Sequence, residues 1–249
     1  MPIIQMIVRR LRHLRHLVGT ALIDRQRYSV VPRSRFEQTL DALLQKTGFF
    51  FIQVGAHDGV RFDGLYGKVT TIDVHGIVIE PLKRYFDRLK MNYEDYPGVV
   101  PLNIALHPTL PIVEIFHVAP EALSGLPPWA GGIGSVVPAH HARSLTPATT
   151  MTSTVVDAMT CTELLDRYDV QRVDLLQIDV EGFDVEILKM FPFARLKPIL
   201  VKYEHDSLDA LQRADAIGLL HGHGYDTFVE GEDTVAILRS GTAAGGGAS

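Results

Sequence analysis

Phe49-Phe50-Phe51-Ile52-Gln53-Val54 runs without a break into Gly55-Ala56-His57-Asp58-Gly59. A short, almost wholly apolar run of this kind is a strand buried on both faces, as parallel sheets require. The two glycines then let the backbone turn sharply and approach a ligand closely. In open α/β sheets that position, just beyond the carboxyl end of a strand, is where ligands bind. On either side the same grammar repeats. Apolar runs at 76–80, 99–104, 173–179 and 198–203 read as further strands, with helices at 83–92 and 160–168 between some of them. Alternation of this kind predicts a doubly wound, mostly parallel α/β sheet beginning near residue 49.

The whole chain has 249 residues, 46% hydrophobic and 21% charged, which is enough for one substantial core. A formal net charge of -5 gives no basic footprint for a phosphate backbone, so nucleic acid is not expected as a partner. Cys161 is the single cysteine, which excludes an internal disulfide and a cysteine-based zinc site. A reducing, cytoplasmic setting follows as the expectation. Residues 1–23 place apolar side chains at helical steps with arginines and histidines between them, predicting a basic amphipathic helix. Two readings stay open: a helix packed on its own domain, or one resting on an anionic membrane at its inner face. Residues 1–48 are thus read as this helix plus a linker helix, 49–239 as the catalytic domain, and 240–249 as a disordered Gly/Ala/Ser/Thr tail. Residues 119–153, rich in proline and glycine and carrying Trp129, His140 and His141, read as a long irregular stretch, either a substrate lid or a mobile surface insert.

Twenty-five residues after Gly55 the second strand ends in Ile79-Glu80-Pro81. A carboxylate at that tip can accept hydrogen bonds from both hydroxyls of a ribose. Together with the glycine turn, it points to an adenosine-containing cofactor. A diphosphate needs a bare backbone at the second position of Gly-x-Gly-x-x-Gly, and here His57 stands there. The imidazole favours S-adenosylmethionine, which has no phosphate, over a dinucleotide; a dinucleotide oxidoreductase is the third-ranked alternative.

The series of motifs from about residue 49 to 238 resembles the FkbM family of S-adenosylmethionine-dependent methyltransferases. Gln53-Val54-Gly55-Ala56-His57-Asp58-Gly59 is similar to that family's Asp-Val-Gly-Ala-Asn-x-Gly, and Asp63 with Leu65-Tyr66 to the segment after it. Ile79-Glu80-Pro81 with Leu89 and Asn92 resembles the second motif, and Asn103-Ile104-Ala105-Leu106 the third. Gln177-Ile178-Asp179-Val180-Glu181-Gly182 resembles Lys-Ile-Asp-Val-Glu-Gly, and Tyr203-Glu204-His205 the Val-Glu-x-His strand end. Gln53 stands where the family has an acid, His57 where it has asparagine and Gln177 where it has lysine. The resemblance implies a Rossmann-like class I methyltransferase with Gln53, Gly55, Ala56, His57, Gly59, Glu80, Asn103, Ile104 and Asp179 around the cofactor. Asn103 and Ile104 would lie on the adenine side. The acceptor it implies is a hydroxyl of a sugar, glycolipid, polyketide or similar small metabolite.

Methyl transfer to an alcohol needs an aligned nucleophile and a group that removes its proton. Asp179 and Glu181 end the fourth predicted strand, and Glu204 and His205 the fifth, so the two ends converge on one crevice. One reading has Asp179 and Glu204, with His205, binding a divalent cation such as magnesium. The other is metal-free, with His205 or Glu204 as general base and Asp179 as orienting group. For Glu181 a role at the start of the next helix weighs equally. The rival from another class is a catalytically silent binding module held at a membrane or in a complex by residues 1–23. The oligomeric state is not readable from the sequence.

Overall fold

The computed structural model describes residues 33–61, 64–138 and 146–240. The helix expected at 1–23, the family-like Asp63, the histidines at 140 and 141, and residues 241–249 of the expected tail lie outside the described residues.

The chain enters through α1 (Arg35–Leu44), started by Ser34, whose hydroxyl accepts from the Glu37 N–H at 3.1 Å. It then builds β1 (Phe50–Val54), α2 (Leu65–Val69), β2 (His75–Ile79), α3 (Lys83–Asn92) and β3 (Val99–Leu102). A second half follows through β8 (Leu175–Ile178), α5 (Asp184–Met190), β9 (Leu200–Glu204), α6 (Ala210–Gly222), β10 (Tyr225–Glu230) and β11 (Asp233–Leu238), with α4 (Cys161–Arg167) just ahead of it. Reciprocal capping boxes start α4 (Thr160 with Glu163) and α6 (Asp209 with Gln212). The seven strands form one sheet in the order β10-β11-β9-β8-β1-β2-β3. The neighbours from β3 to β9 pair in parallel, and β11 alone runs against the rest.

From β1 the chain winds outward to β2 and β3, then returns to place β8 on β1's other side. The gap between the carboxyl ends of β1 and β8 is therefore the switch point of the fold, where an open sheet leaves a crevice. Both faces of the sheet are covered. Ile52, Val54, Ile77, Leu176, Ile178 and Val201 pack with Leu164, Leu188 and Leu220 of α4, α5 and α6. Phe51, Val78, Leu175, Leu200 and Val235 pack on the other face with Leu40 and Leu43 of α1, Leu65 of α2 and Leu89 of α3. At about 1.5–3 kcal/mol per fully buried large apolar side chain, these layers supply the driving force for the fold. Helix α1 lies ahead of residue 49 yet is part of this core.

Four further strands form a small sheet beside the large one, ordered β4 (Ala105–Leu106), β7 (Met151–Met159), β5 (Ile112–Val118), β6 (Gly134–Ser135). Its spine is the antiparallel pair β5 and β7, in register from Ile112 with Asp157 to Val118 with Met151. The stretch expected to be irregular over 119–153 therefore ends in strand. Within it, 3-10 turns form at Pro120–Gly125, Pro128–Gly131 and Ala148–Thr150, and β6 returns to β5. Ser135 is 1% exposed; its hydroxyl donates to the Glu181 carbonyl at 2.7 Å and accepts from the Val137 N–H. That contact fastens the excursion to the turn after β8.

Candidate functional site

The switch point is closed by backbone contact that only glycine permits. Gly55 has φ +82, and a β-carbon built on it would stand 1.7 Å from the carbonyl oxygen of Asp179. Strand tips β1 and β8 are thereby drawn together at the bottom of a cleft of about 290 Å³. Two residues on, His57 takes φ 49, a left-handed conformation uncommon outside glycine. What holds it there is visible: its N–H donates to Glu80 Oε2 at 2.9 Å, and its ring lies 3.8 Å from that of Tyr85. Gly59 closes the turn against Leu89, and the Asn92 amide donates to the Asp58 carbonyl at 2.7 Å. Asp58 is buried, which opposes ionisation. The His57 side chain and the N–H groups of Arg61 and Val60 nevertheless hold its carboxyl well below the usual range.

Glu80, 5% exposed, is fixed at the tip of β2 by two backbone donors, His57 N–H and Leu82 N–H, one on each oxygen. Each oxygen keeps a lone pair for a ligand in the cleft that Glu80 lines. Burial outweighs those donors and pushes the carboxyl up to about 7. Asn103 stands behind: its amide donates to the carbonyls of Glu80 and Pro81 at 2.9 and 2.8 Å and braces the turn that carries the carboxylate.

Parallel register places Gln53, Gln177 and Lys202 side by side on three adjacent strands. Residues in register point to one face, so the three make a polar row above the apolar layer Phe51, Leu175 and Leu200. All three line the cleft. Lys202 is paired with Asp233 at 2.8 Å. Asp179, Glu181, Glu204 and Glu232 line the same cleft. Asp179 lies on the cleft floor, where water reaches the side chain although protein surrounds it. Burial and the nearby carboxylates of Glu181, Asp184, Glu204 and Asp233 raise its carboxyl well above the usual range. Such a floor favours a cationic ligand.

Beside the polar cleft, and sharing Gly55, Pro81, Gly134 and Val180 with it, is a small apolar slot of about 30 Å³. Ile79, Ile104, Leu106 and Phe183 line it. A flat heterocycle could enter such a slot from the cleft.

Of the residues expected from sequence, Gln53, Gly55, Ala56, His57, Glu80, Asp179, Glu181 and Glu204 line the cleft and Ile104 lines the slot. Three lie elsewhere. Gly59 shapes the turn, Asn103 braces Glu80, and His205 is 8% exposed with Nδ1 3.1 Å from the Thr234 hydroxyl. His205 lines neither cavity. Among the described residues, no group of three or more His, Cys, Asp or Glu side chains is arranged to hold a metal ion. Among them too, no helix is long and apolar enough to cross a membrane.

Lys202, Tyr85, Arg61, Glu232 and Asp233 also line the cleft and were not anticipated; Trp129 lines it too, from the stretch read as either a substrate lid or a mobile insert. Lys202 had a signal: a charge inside the apolar run Ile199-Leu200-Val201-Lys202-Tyr203 needs a polar destination. For Trp129 the signal was its position, as the only tryptophan, in the long proline- and glycine-rich stretch.

The Methyltransferase FkbM domain model matches residues 53–227. No curated protein matches the chain. Solved structures similar to it include precorrin-6y C5,15-methyltransferase from Geobacter metallireducens, 14% identical with a TM-score of 0.42, covering 82% of this chain and 87% of that one. Methyltransferase FkbM from Methylobacillus flagellatus is 14% identical with a TM-score of 0.46, over 76% of this chain and 43% of that one. Fibrillarin from Methanococcus jannaschii is 12% identical with a TM-score of 0.39, over 76% of this chain and 66% of that one.

Proposed function

Because this chain belongs to the FkbM methyltransferase-domain family, we propose that it is an S-adenosylmethionine-dependent O-methyltransferase acting on a hydroxyl of a small metabolite or glycan. The observation that carries the reading is the charge of the cleft: Glu80, Asp179, Glu181, Glu204, Glu232 and Asp233 surround it, against Lys202 and the rim arginine Arg61. When bound, S-adenosylmethionine supplies an electrophilic methyl group on a sulfonium, with an ammonium beside it. A cleft rich in carboxylates is complementary to that pair of cations. A diphosphate would meet repulsion there, which argues against the dinucleotide alternative.

In this reading Glu80 accepts from the ribose diol, and the slot with Ile104 and Phe183 takes the adenine. The bare turn at Gly55 admits the amino-acid end beside Gln53, Gln177 and Lys202. Gln53 supplies amide hydrogen bonds but no charge where the family has an acid. Asp179, with its carboxyl raised well above the usual range by burial and the neighbouring carboxylates, has the added proton affinity that suits a general base, and Glu204 is the second candidate on the same floor. Neither needs His205, whose ring is engaged with Thr234. A magnesium on Asp179 and Glu204 would need ligands from outside these two side chains.

Calorimetry with S-adenosylmethionine and transfer of labelled methyl to a panel of hydroxyl acceptors test the reading. Asp179→Asn is expected to cut turnover by about 100-fold or more, with cofactor affinity within a few-fold of wild type. Full activity in that variant removes Asp179 from the chemistry. Dialysis against a chelator separates the two proton-removal schemes, since activity retained afterwards excludes the metal. No cofactor binding at all would leave the silent binding module standing.

A further inference from the structure

The cleft shares His57, Arg61 and Tyr85 as wall residues with a second cavity of about 630 Å³ whose chemistry is opposite. Its other lining residues are Arg84, Arg88, Pro120, Leu123, Pro127, Pro128 and Gly131. Three arginines and a histidine line it, with no carboxylate among the residues that do so. In a chain of net charge -5, beside an acidic floor, that segregation is specific.

The arginines are placed by structure. Arg84 and Arg88 are four residues apart on α3, a spacing that puts them on one helix face. Arg84 Nη1 donates to the Val118 carbonyl at 3.1 Å, and its guanidinium carbon lies 4.6 Å from the centre of the Tyr85 ring. Its Nε and Nη2 are sealed from solvent beside Tyr85, so Arg84 contributes positive charge to the wall while Arg61 and Arg88 present the open donors. Arg88 makes no hydrogen bond or ion pair among the described residues. Arg61 reaches Asp58 at 3.5 Å but is 64% exposed. From the excursion, Pro127, Pro128 and Leu123 complete the lining.

We propose that this cavity is the acceptor site and that it recognises a phosphate group carried by the acceptor. Guanidinium groups match phosphate oxygens in planar, paired hydrogen bonds; Arg61 and Arg88 supply those donors, and the Arg84 charge behind them helps favour a dianion over a single carboxylate. The phosphate anchors in the basic cavity, the proline and Tyr85 faces cover the body of the molecule, and the hydroxyl points past His57 to Asp179. This assignment of roles rests on the cofactor reading above; the binding of phosphate does not.

The test uses the full chain with inorganic phosphate and phenyl phosphate as probes, acetate and phenol as controls, and S-adenosylmethionine titrated into the same samples. Phosphate and phenyl phosphate are expected to bind, more weakly as salt rises, while acetate and phenol do not. Arg88→Gln should weaken phosphate binding roughly 10-fold and leave cofactor affinity unchanged. Arg61→Gln should weaken it comparably, which keeps the test open if either variant folds poorly. Absence of phosphate binding, equal binding of acetate, or full phosphate affinity in both variants overturns the proposal. Phosphate binding without cofactor binding upholds the anion site and refutes the cofactor reading instead. Vesicles of phosphatidylcholine with and without phosphatidic acid distinguish sources: sedimentation only with phosphatidic acid, lost in Arg88→Gln, assigns the phosphate to a lipid.

Discussion

Gly55 and Gly59 both carry positive φ, at +82 and +78, yet they answer to different constraints. A methyl at Gly55 meets the backbone oxygen of Asp179 at 1.7 Å, and neither strand can withdraw without breaking the sheet. A methyl at Gly59 meets Leu89 Cδ1 at 2.7 Å, the far end of a side chain that can change rotamer. Gly55→Ala is therefore expected to lose at least about 2 kcal/mol more than Gly59→Ala, measured by urea denaturation. Equal losses would mean that backbone conformation, not the strand contact, sets the cost. Glu80 gives the second test at this scale. Donation from a ribose diol favours the ionised carboxylate, so binding lowers a carboxyl now held near 7 and expels its proton. Affinity for S-adenosylmethionine should rise as pH increases from 6 to 8, and calorimetry in buffers of different ionisation enthalpy should show a proton released. Glu80→Gln should bind weakly and flatten that pH dependence. The sequence announced Glu80 because the residue ends an apolar strand before a proline. It could not announce that His205 would miss the cleft. Successive residues at a strand end point to opposite faces, and choosing between Glu204 and His205 requires the register of β9 with β11.

Elements were legible where a local apolar pattern marks them. The five parallel strands were readable because each is a short, largely apolar run, and helix Lys83–Asn92 because its polar and apolar residues alternate at helical spacing. Strands β5 and β7 were not, since one face is open: Ile112 is 54% exposed and Val155 67%. Their pairing spans the excursion from 119 to 150, so nothing local in the sequence marks the two as partners. Helix α1 was read as a linker helix although Phe36, Leu40, Leu43 and Leu44 form an apolar stripe, because the partners of that stripe, Phe51 and Leu200, lie far along the chain. Leu40 is fully buried. Leu40→Ala should cost about 2–5 kcal/mol by denaturant unfolding, whereas a dispensable linker helix would lose under about 0.5 kcal/mol. Ser135 makes the complementary test for the excursion. Ser135→Ala removes the donor to the Glu181 carbonyl, so amide exchange at Glu181 and Gly182 should accelerate while global stability falls by only about 1–3 kcal/mol. Unchanged exchange would show that the excursion is held to the β8 turn by packing alone.

Across the whole molecule, acid is collected at the carboxyl ends of the strands more densely than folding alone would favour. Burial raises Glu80 to about 7, and burial with neighbouring charge raises Asp179 and Asp184 well above the carboxylate range. In the unfolded chain these groups ionise near their ordinary values, so between about pH 4.5 and 7 the folded protein binds more protons than the unfolded one. The sign follows: stability declines as pH rises through that window. His117 acts oppositely below about pH 6.5, since burial depresses its pKa and the unfolded chain takes up a proton that the folded one refuses. That opposing effect fades as pH rises past 6.5 and the unfolded imidazole also loses its proton, so the carboxyl-driven decline dominates there. We expect the melting temperature of the ligand-free protein to fall by several degrees between pH 6.5 and 8. A bound cation relieves the repulsion, so the rise in melting temperature caused by saturating S-adenosylmethionine should be larger at pH 8 than at pH 6.5. S-adenosylhomocysteine, lacking the sulfonium charge, should show a smaller difference between the two pH values. If the ligand-free melting temperature is flat or climbs over that range, the acidic floor is not under electrostatic tension, and cation binding has to be explained by hydrogen bonds alone.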